Sequence, residues 1–249
     1  MQNSQKIAWK RITAEATAIV VSILIAFGID AWWQERGEKL ALIENLEQFE
    51  REVIANDELI DEHLDENASD LMALQRVFLT LSDPGQETLP DSFKLDLGNS
   101  FWIRYPKTSM TAFDDLASSG RIRALTNRRL VKVINEYKNS AVGLDLQTGF
   151  ISSSYYNIVQ PAIGLNIALS DLGWDIYENY LGRNGENTGV TPQASFSTNS
   201  EGLKSLAVWN ALFFWKTLKI DESRSLEQMK AQGLELRDLL REEIEDRSQ

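Results

Sequence analysis

Six acids and the only histidine of the chain are the residues best able to do chemistry, and they fall within one helical stretch. The acids form two rows with four-residue spacing, and His63 lies between them. These rows are Asp57, Asp61 and Asp65, and Glu58, Glu62 and Glu66. Such ligands could bind a divalent metal, but di-iron bundles use Glu-x-x-His, and Ile60 stands three residues before His63. Calcium loops need a turn with glycine, whereas this pattern is continuously helical. We therefore expect a solvated acidic face and no metal site.

A basic stretch lies further along the chain. Its cations are Arg121, Arg123, Arg128, Arg129, Lys132 and Lys138, interrupted only by Glu136. These side chains could bind phosphate or anionic lipid headgroups. The alternative, which we favour, is charge complementarity with the acidic rows, within one chain or between chains. Nucleic acid is not an expected partner, because the net charge of the chain is -12 and phosphates require a basic surface.

The composition excludes several classes of enzyme. The chain has 249 residues, no cysteine and one histidine, so no thiol nucleophile, disulfide, thiolate zinc site or cysteine-held iron–sulfur cluster can form. A Ser-His-Asp triad could be built only on His63, and no Gly-x-Ser-x-Gly or phosphate-loop pattern occurs. Four tryptophans could line a pocket, although helical spacing is more typical of a core: Trp102, Trp174, Trp209 and Trp215. We expect no catalytic residues, no cofactor and no enzymatic activity.

An apolar segment near the N-terminus, residues 12–33, predicts a transmembrane helix and is called the anchor segment below. Its uncharged part is residues 16–29. Trp9 and Trp32 are separated by about 34 Å along a helix, which matches a hydrocarbon core of about 30 Å with tryptophan at each interface. With Trp33, they are the expected interfacial anchors. A cleavable signal peptide and a buried core helix are alternatives, but the helical pattern continues past Trp33 without a small-residue break.

The charges that flank the anchor segment predict its orientation. Lys6, Lys10 and Arg11 precede it and no acid does. Basic residues near a span favour the cytoplasmic side. We expect residues 1–11 to be a cytoplasmic tail, and everything after the span to lie in the periplasm of a bacterium, so that the protein crosses the inner membrane once.

One face of the anchor segment has small or polar residues at every fourth position. Small side chains at this spacing let a second helix approach closely in lipid. Chance is the plain alternative, since alanine is common in spans. The predicted contact residues, with one flanking acid, are Glu15, Ala18, Ser22, Ala26 and Asp30.

Residues 34–82 predict a long stalk helix that continues the span without a break. Apolar residues follow three-four spacing until Asp83-Pro84-Gly85, where a helix must stop. This narrow seam is typical of a coiled coil or bundle, and polar members such as Asn56 and Asn67 usually set register. The seam residues that we single out are Leu46, Phe49, Val53, Ile60 and His63.

The remainder, residues 86–249, predicts a helical bundle domain, so the fold class is all-α. We expect residues 86–107 to be irregular and a short helix to end at Gly120. A long helix capped by Thr126 or Asn127 should then end or kink at Pro161. Residues 162–182 suggest short helices, and residues 183–200 a polar loop. A core helix over 203–220 and a separate last helix, capped by Asp221 or Ser223, complete the prediction.

Two stretches resemble an uncharacterised family of single-span, N-terminally anchored bacterial membrane proteins. The first is an intramembrane acid, an apolar run and an aromatic end with a Glu-Arg pair: Glu15, Ile29, Asp30, Ala31, Trp32, Glu35 and Arg36. The second is an aromatic-x-x-Leu-x-x-Ser-Gly pattern and a helix ending in tyrosine: Phe113, Leu116, Ser119, Gly120, Leu125, Leu130 and Tyr137. Asp30 and Ala31 replace what is usually an Asn pair. The resemblance implies an anchor and a helical domain, and no activity.

These patterns together predict an accessory, assembly or scaffold subunit of an inner-membrane complex. Its partners would be the lipid bilayer and either a membrane protein or a second copy, bound through the anchor face and the stalk. The alternative is a periplasmic ligand-sensing bundle, which would signal through a partner because the cytoplasmic tail is too short for an output domain.

Overall fold

The structure is a computed structural model that describes residues 9–85, 88–167 and 198–248, with side chains described from Glu15 onward. Within these ranges the chain is helical and contains no strand, which confirms the all-α prediction. The helices are α1 (Trp9–Ser82), α2 (Asp91–Asn99), α3 (Thr111–Ser118), α4 (Arg128–Ser154), α5 (Gln160–Gly164), α6 (Ser200–Leu203) and α7 (Leu206–Ser248). A 3₁₀ turn, Arg121–Ala124, precedes α4, and a π-helical turn, Tyr155–Val159, joins α4 to α5.

Helix α1 spans 74 residues, so it is about 110 Å long at 1.5 Å per residue. It ends at the predicted stop, where the backbone N–H of Gly85 donates to Asp83 Oδ1 (2.8 Å). The expected continuity of the anchor segment with the following helix is confirmed.

The bundle is built on α1, α4 and α7. Helix α7 runs antiparallel to α1, since Lys216 bonds to Gln75 whereas Arg241 bonds to Glu50. Two apolar clusters fill the bundle. The cluster nearer the anchor segment joins residues 42–60 of α1 to α3, α4 and residues 226–240 of α7. The far cluster joins residues 74–81 to α2, α5 and residues 208–218 of α7.

Residues 34–82 are therefore not a stalk that stands apart from the bundle. Residues 34–40 are exposed, but Leu42 is buried and the helix is a bundle member from that point to its end. The three-four spacing correctly marks the buried face. Spacing alone does not say whether the same chain or another chain covers that face.

The expected irregular segment, residues 86–107, contains α2. Phe93 and Leu97, one turn apart, are buried in the far cluster. This helix was not predicted because Pro90, at its N-cap position, and Gly98, near its end, are residues typical of loops.

The expected break before a separate last helix is also wrong, because α7 runs through Asp221 and Ser223 without interruption. Ser223 Oγ donates to the carbonyl of Lys219 (3.2 Å), and Ser225 Oγ donates to the carbonyl of Asp221 (3.1 Å). Each hydroxyl donates to a carbonyl of the preceding turn instead of capping a new helix. Serine side chains commonly form this bond inside helices.

The ends of the middle helices follow the predictions in part. Asn127 caps α4, accepting from the N–H groups of Arg129 and Leu130 (3.0 and 3.1 Å). Gly120 follows α3 with φ of 74°, a left-handed conformation that favours glycine. Pro161 does not end the helix. The π-helical turn lies between α4 and α5, so Pro161 falls in the first turn of α5, where its missing N–H is not needed for a helical hydrogen bond. Of the short helices predicted over 162–182 and the polar loop predicted over 183–200, residues 168–197 lie outside the described residues.

Candidate functional site

The anchor segment is exposed along its described length and is the only helix in the described ranges that is long and apolar enough to cross a membrane. Its most apolar window has a mean hydropathy of 1.8 and is 0% buried. Every residue from 15 to 40 is exposed, so no other part of the described chain packs on it. The apolar side chains there, such as Phe27 (66% exposed), have no protein neighbour to bury them.

The predicted contact residues lie on this exposed helix. Ser22 Oγ donates to the carbonyl of Ala18 (2.8 Å), so its hydroxyl is used within the helix and its side chain stays small and close to the backbone. At the far end of the segment, Trp32 and Trp33 meet edge to face at 5.1 Å, and Arg36 lies 5.8 Å from the Trp32 ring. The side chain of Trp9 lies outside the described residues.

The seam is used inside the bundle. Leu46, Phe49, Val53 and Ile60 have 0% exposure and belong to the cluster that α3, α4 and α7 complete. His63, at the end of that cluster, is partly buried, and its Nδ1 lies 3.7 Å from Glu66. Burial lowers the pKa of His63, so the ring is neutral at pH 7.

Polar seam residues fix neighbouring segments. Asn56 exchanges two hydrogen bonds with the backbone of Ser109, both of 2.8 Å, and thereby holds the chain that leads into α3. Glu52 Oε2 accepts from Ser109 Oγ and from the N–H of Ala112, each at 2.9 Å. A carboxylate of α1 therefore caps α3.

A buried ionic layer separates the two apolar clusters. Lys219 (2% exposed) lies 3.4 Å from Asp70 and 3.1 Å from Glu222, and its Nζ donates to the carbonyl of Trp102 (3.2 Å). Arg104 pairs with Asp70 and with Glu66. Burial raises the pKa of Asp70, and its bonds to Arg104 and Lys219 oppose that rise. The layer joins α1, α7 and the segment after α2. Of its charged residues, only Glu66 was among those singled out by the sequence pattern.

A second buried acid, Asp57, faces α7 without a hydrogen-bond partner for either carboxylate oxygen among the described residues. Burial raises the pKa of Asp57 to about 6, against the lowering effect of Arg237 and Lys230. The facing residue is Gly233, where an added Cβ would lie 2.3 Å from Asp57 Oδ1. The expectation of a fully solvated acidic face is therefore wrong at Asp57.

The other members of the acidic rows remain at the surface or pair with cations. Asp61 pairs with Lys230 of α7, and Glu66 pairs with Arg104. Within the described ranges no group of three or more acids or histidines is arranged to hold a metal ion.

Within the described chain, the basic stretch does not pair with the acidic rows; pairing between chains stays a prediction. Arg129 pairs with Glu235 (2.8 Å) and Lys132 with Glu136 of its own helix (3.4 Å). Arg121 donates to the amide oxygen of Asn45 (2.8 Å), while Arg123 and Arg128 are exposed. The partners of the acidic rows come instead from α7 and Arg104.

Of the four tryptophans considered as pocket residues, Trp215 lies in the core, as helical spacing suggested, whereas Trp102 and Trp209 are partly buried and Trp209 lines a cavity with Phe78 and Phe213. Trp215 has 0% exposure, and its Nε1 donates to the carbonyl of Ser100 (2.6 Å). The Trp209 ring meets Phe78 edge to face at 4.9 Å, and Trp102 is partly buried beside Arg104. Trp174 lies outside the described residues.

Two cavities lie at chemically distinct places on the bundle. The first, here called the anchor pocket, has a volume of about 580 Å³ and lies where the bundle meets the anchor segment. Its lining is Glu35, Glu38, Lys39, Leu42, Ser119, Gly120, Arg121, Ala124 and Arg247. The second, here called the amide groove, has a volume of about 460 Å³ between α4 and α7. Its lining is Glu136, Asn139, Ser140, Gly143, Leu144, Gln147, Ser225, Gln228 and Gln232.

Comparisons with known proteins return nothing for this chain: no family model, no curated protein and no solved structure matches it.

Proposed function

We propose that this chain is a non-enzymatic, membrane-anchored accessory or scaffold subunit that binds a membrane protein, or a second copy of itself, through its anchor segment. The observation that supports this function is the uncovered apolar part of α1, which is continuous with a bundle whose seam is covered by its own chain. Residues 15–40 are exposed, while the seam from Leu42 onward is covered by the same chain. The span is therefore a long apolar surface that requires a partner, lipid or protein.

The structure changes which surface takes part in this function. The seam residues cannot also bind another chain, because α3, α4 and α7 already cover them. Docking is therefore assigned to the anchor face, in the inner membrane of a bacterium, with the N-terminus in the cytoplasm. In lipid, apolar burial gives no driving force, so close packing of small residues must supply the affinity.

The test is the double variant Ser22→Ile/Ala26→Ile in the full chain. Isoleucine favours the bilayer, so insertion should be normal, but its bulk separates the two helices. We expect the variant to lose its partner, or its self-association, during purification in mild detergent. The matched control is Val20→Leu/Ile23→Leu, which changes other faces of the helix. Co-purification of the same partners in unchanged amounts would contradict the proposed docking face.

Orientation has its own test. With the N-terminus in the cytoplasm, a C-terminal alkaline phosphatase fusion should be active and a C-terminal green fluorescent protein fusion should be dark. The reverse pair of results would place the bundle in the cytoplasm.

A ligand-sensing bundle is the second candidate, and the amide groove favours it. The groove lies between two bundle helices, where a bound molecule could change their packing, and amide side chains such as Asn139, Gln147 and Gln232 line it. A small polar metabolite with donor and acceptor groups would bond to these amides. A thermal shift by an amino acid or sugar that is lost in Gln232→Leu would favour this function. No shift across such a panel would count against it.

A further inference from the structure

We infer that the turn between α3 and α4 is a binding site for the phosphate groups of anionic phospholipids in the leaflet from which α1 emerges. This inference rests on the proposed insertion of the anchor segment in a membrane. It adds a second membrane contact, made by the bundle itself, through Arg123 and Arg128, while Arg121 holds the turn to α1.

The height of the turn along α1 is the first argument. The anchor pocket includes Ser119 and Gly120 of the turn beside residues 35–42 of α1. At 1.5 Å per residue, that part of α1 begins about 3 Å and ends about 14 Å beyond Trp33. Headgroups extend about 5–8 Å beyond the hydrocarbon core, so the underside of the bundle meets the headgroup surface.

The second argument is that the turn is held rigidly in this position. Arg121 Nη1 donates to Asn45 Oδ1 of α1 (2.8 Å), and Arg247 Nη2 of α7 donates to the carbonyl of Ala124 (2.8 Å). Arg247 is itself bonded to Glu243 (2.6 Å). Hydrogen bonds from the turn to α1 and to α7 therefore hold the turn in place.

The third argument is unbalanced charge. No acid occurs in the sequence between Asp115 and Glu136, although five cations do. With the described residues, Arg121 bonds only to a neutral amide, and Arg123 and Arg128 form no ion pair. By contrast, Arg129, one residue further along, is paired with Glu235. Arg123 and Arg128 are therefore the arginines of this turn with which a lipid phosphate could form an ion pair.

The acids of the anchor pocket limit where the phosphate binds. Glu35 and Glu38 lie on the α1 side of the cavity, and the turn supplies Arg121 on the opposite side. Lipid phosphate is therefore assigned to the turn and its outer arginines, Arg123 and Arg128, and not to the α1 wall.

The experiment uses the full chain in lipid nanodiscs and exploits the absence of cysteine. Thr126→Cys carries a donor dye on the turn, and headgroup-labelled lipid is the acceptor. Energy transfer should rise about twofold when about 30 mol % phosphatidylglycerol replaces neutral phosphatidylcholine. The rise should vanish in about 0.5 M salt, which shortens the range of exposed charges.

Arg123→Gln/Arg128→Gln is the binding variant. Each arginine near an anionic surface contributes a factor of about five, so the docking equilibrium should weaken about 30-fold. Arg76→Gln/Arg224→Gln removes the same charge from exposed sites away from the turn and should leave the transfer unchanged. A donor at Thr217→Cys, in the half of α7 remote from the anchor segment, should not respond to lipid charge.

Equal transfer in neutral and anionic discs would overturn the inference, and so would a rise that persists in Arg123→Gln/Arg128→Gln. A response at position 217 as large as that at 126 would mean that the whole bundle lies on the membrane, which also contradicts a site on the turn. Failure of the chain to enter discs would refute the proposed anchor, and with it this site. That outcome is distinct, because no disc-bound protein would be recovered.

Discussion

At the scale of single residues, Asp57 combines burial with an unpartnered carboxylate, and its titration should be visible in stability. The pKa of Asp57 is about 6 in the folded protein and ordinarily 3.8. A raised pKa means that the folded state binds the proton more tightly. The contribution of Asp57 to the free energy of unfolding is therefore most favourable below about pH 4, declines as the pH rises to about 6, and stays low above that pH.

Asp57→Asn should accordingly stabilise the protein at pH 8 by on the order of 2 kcal/mol and have little effect at pH 4. The measurement is the difference in melting temperature between variant and wild type across this range, which should shrink as the pH falls. Asp61→Asn, an exposed neighbour one turn along, controls for the loss of a charge and should not raise stability at pH 8. A pH-independent difference for Asp57→Asn would contradict the raised pKa.

Gly233 should be intolerant of alanine because of the same acid. An alanine Cβ would lie 2.3 Å from Asp57 Oδ1, which outweighs the helix preference of alanine, about 1 kcal/mol. We expect Gly233→Ala to destabilise the wild type by about 1–2 kcal/mol and to stabilise an Asp57→Ala background. Denaturant unfolding of the four proteins in the cycle checks this. Additive effects would show that the close approach has no energetic consequence.

At the scale of elements, the buried ionic layer links α1 to α7 at one register. Removing Lys219 leaves Asp70 and Glu222 buried without their shared cation. Lys219→Met should therefore destabilise the bundle by about 3 kcal/mol. Lys132→Met, at an exposed site, should change stability by less than about 0.5 kcal/mol. Urea unfolding of both variants is the measurement, and equal effects would contradict a specific role of the layer.

The elements themselves show what could be predicted from sequence. The end of α1 at Asp83-Pro84-Gly85 and the cap at Asn127 were predicted because each depends on neighbouring residues only. The continuity of α7 was missed because Asp221 and Ser223 are capping residues that also bond within helices. The cap of α3 was missed because its carboxylate, Glu52, comes from another helix.

The candidate sites were predicted less well than the elements for a related reason. The proposed anchor face lies within one apolar run, so its small residues could be singled out by spacing alone. The anchor pocket brings Glu35, Arg121 and Arg247 together from three distant parts of the chain. The charges of the ionic layer likewise come from α1, α7 and the segment after α2. A single sequence contains no signal for such contacts, and the intrachain partners of the basic stretch, such as Glu235 for Arg129, consequently could not be predicted.

At the scale of the whole molecule, α1 runs without a break from the anchor segment into the bundle. This continuity fixes the angle about the helix axis between the face of the anchor segment and each face of the bundle. Each residue turns a helix by about 100°, so the anchor face and the faces of the bundle keep one fixed angle about a common axis. A partner embedded in the bilayer would therefore always meet the same side of the bundle. One alanine inserted within residues 34–40 would rotate that side by about 100°, whereas seven would restore it to within about 20°. If the anchor segment inserts as proposed, its contacts within the bilayer would set the direction in which each face of the bundle points.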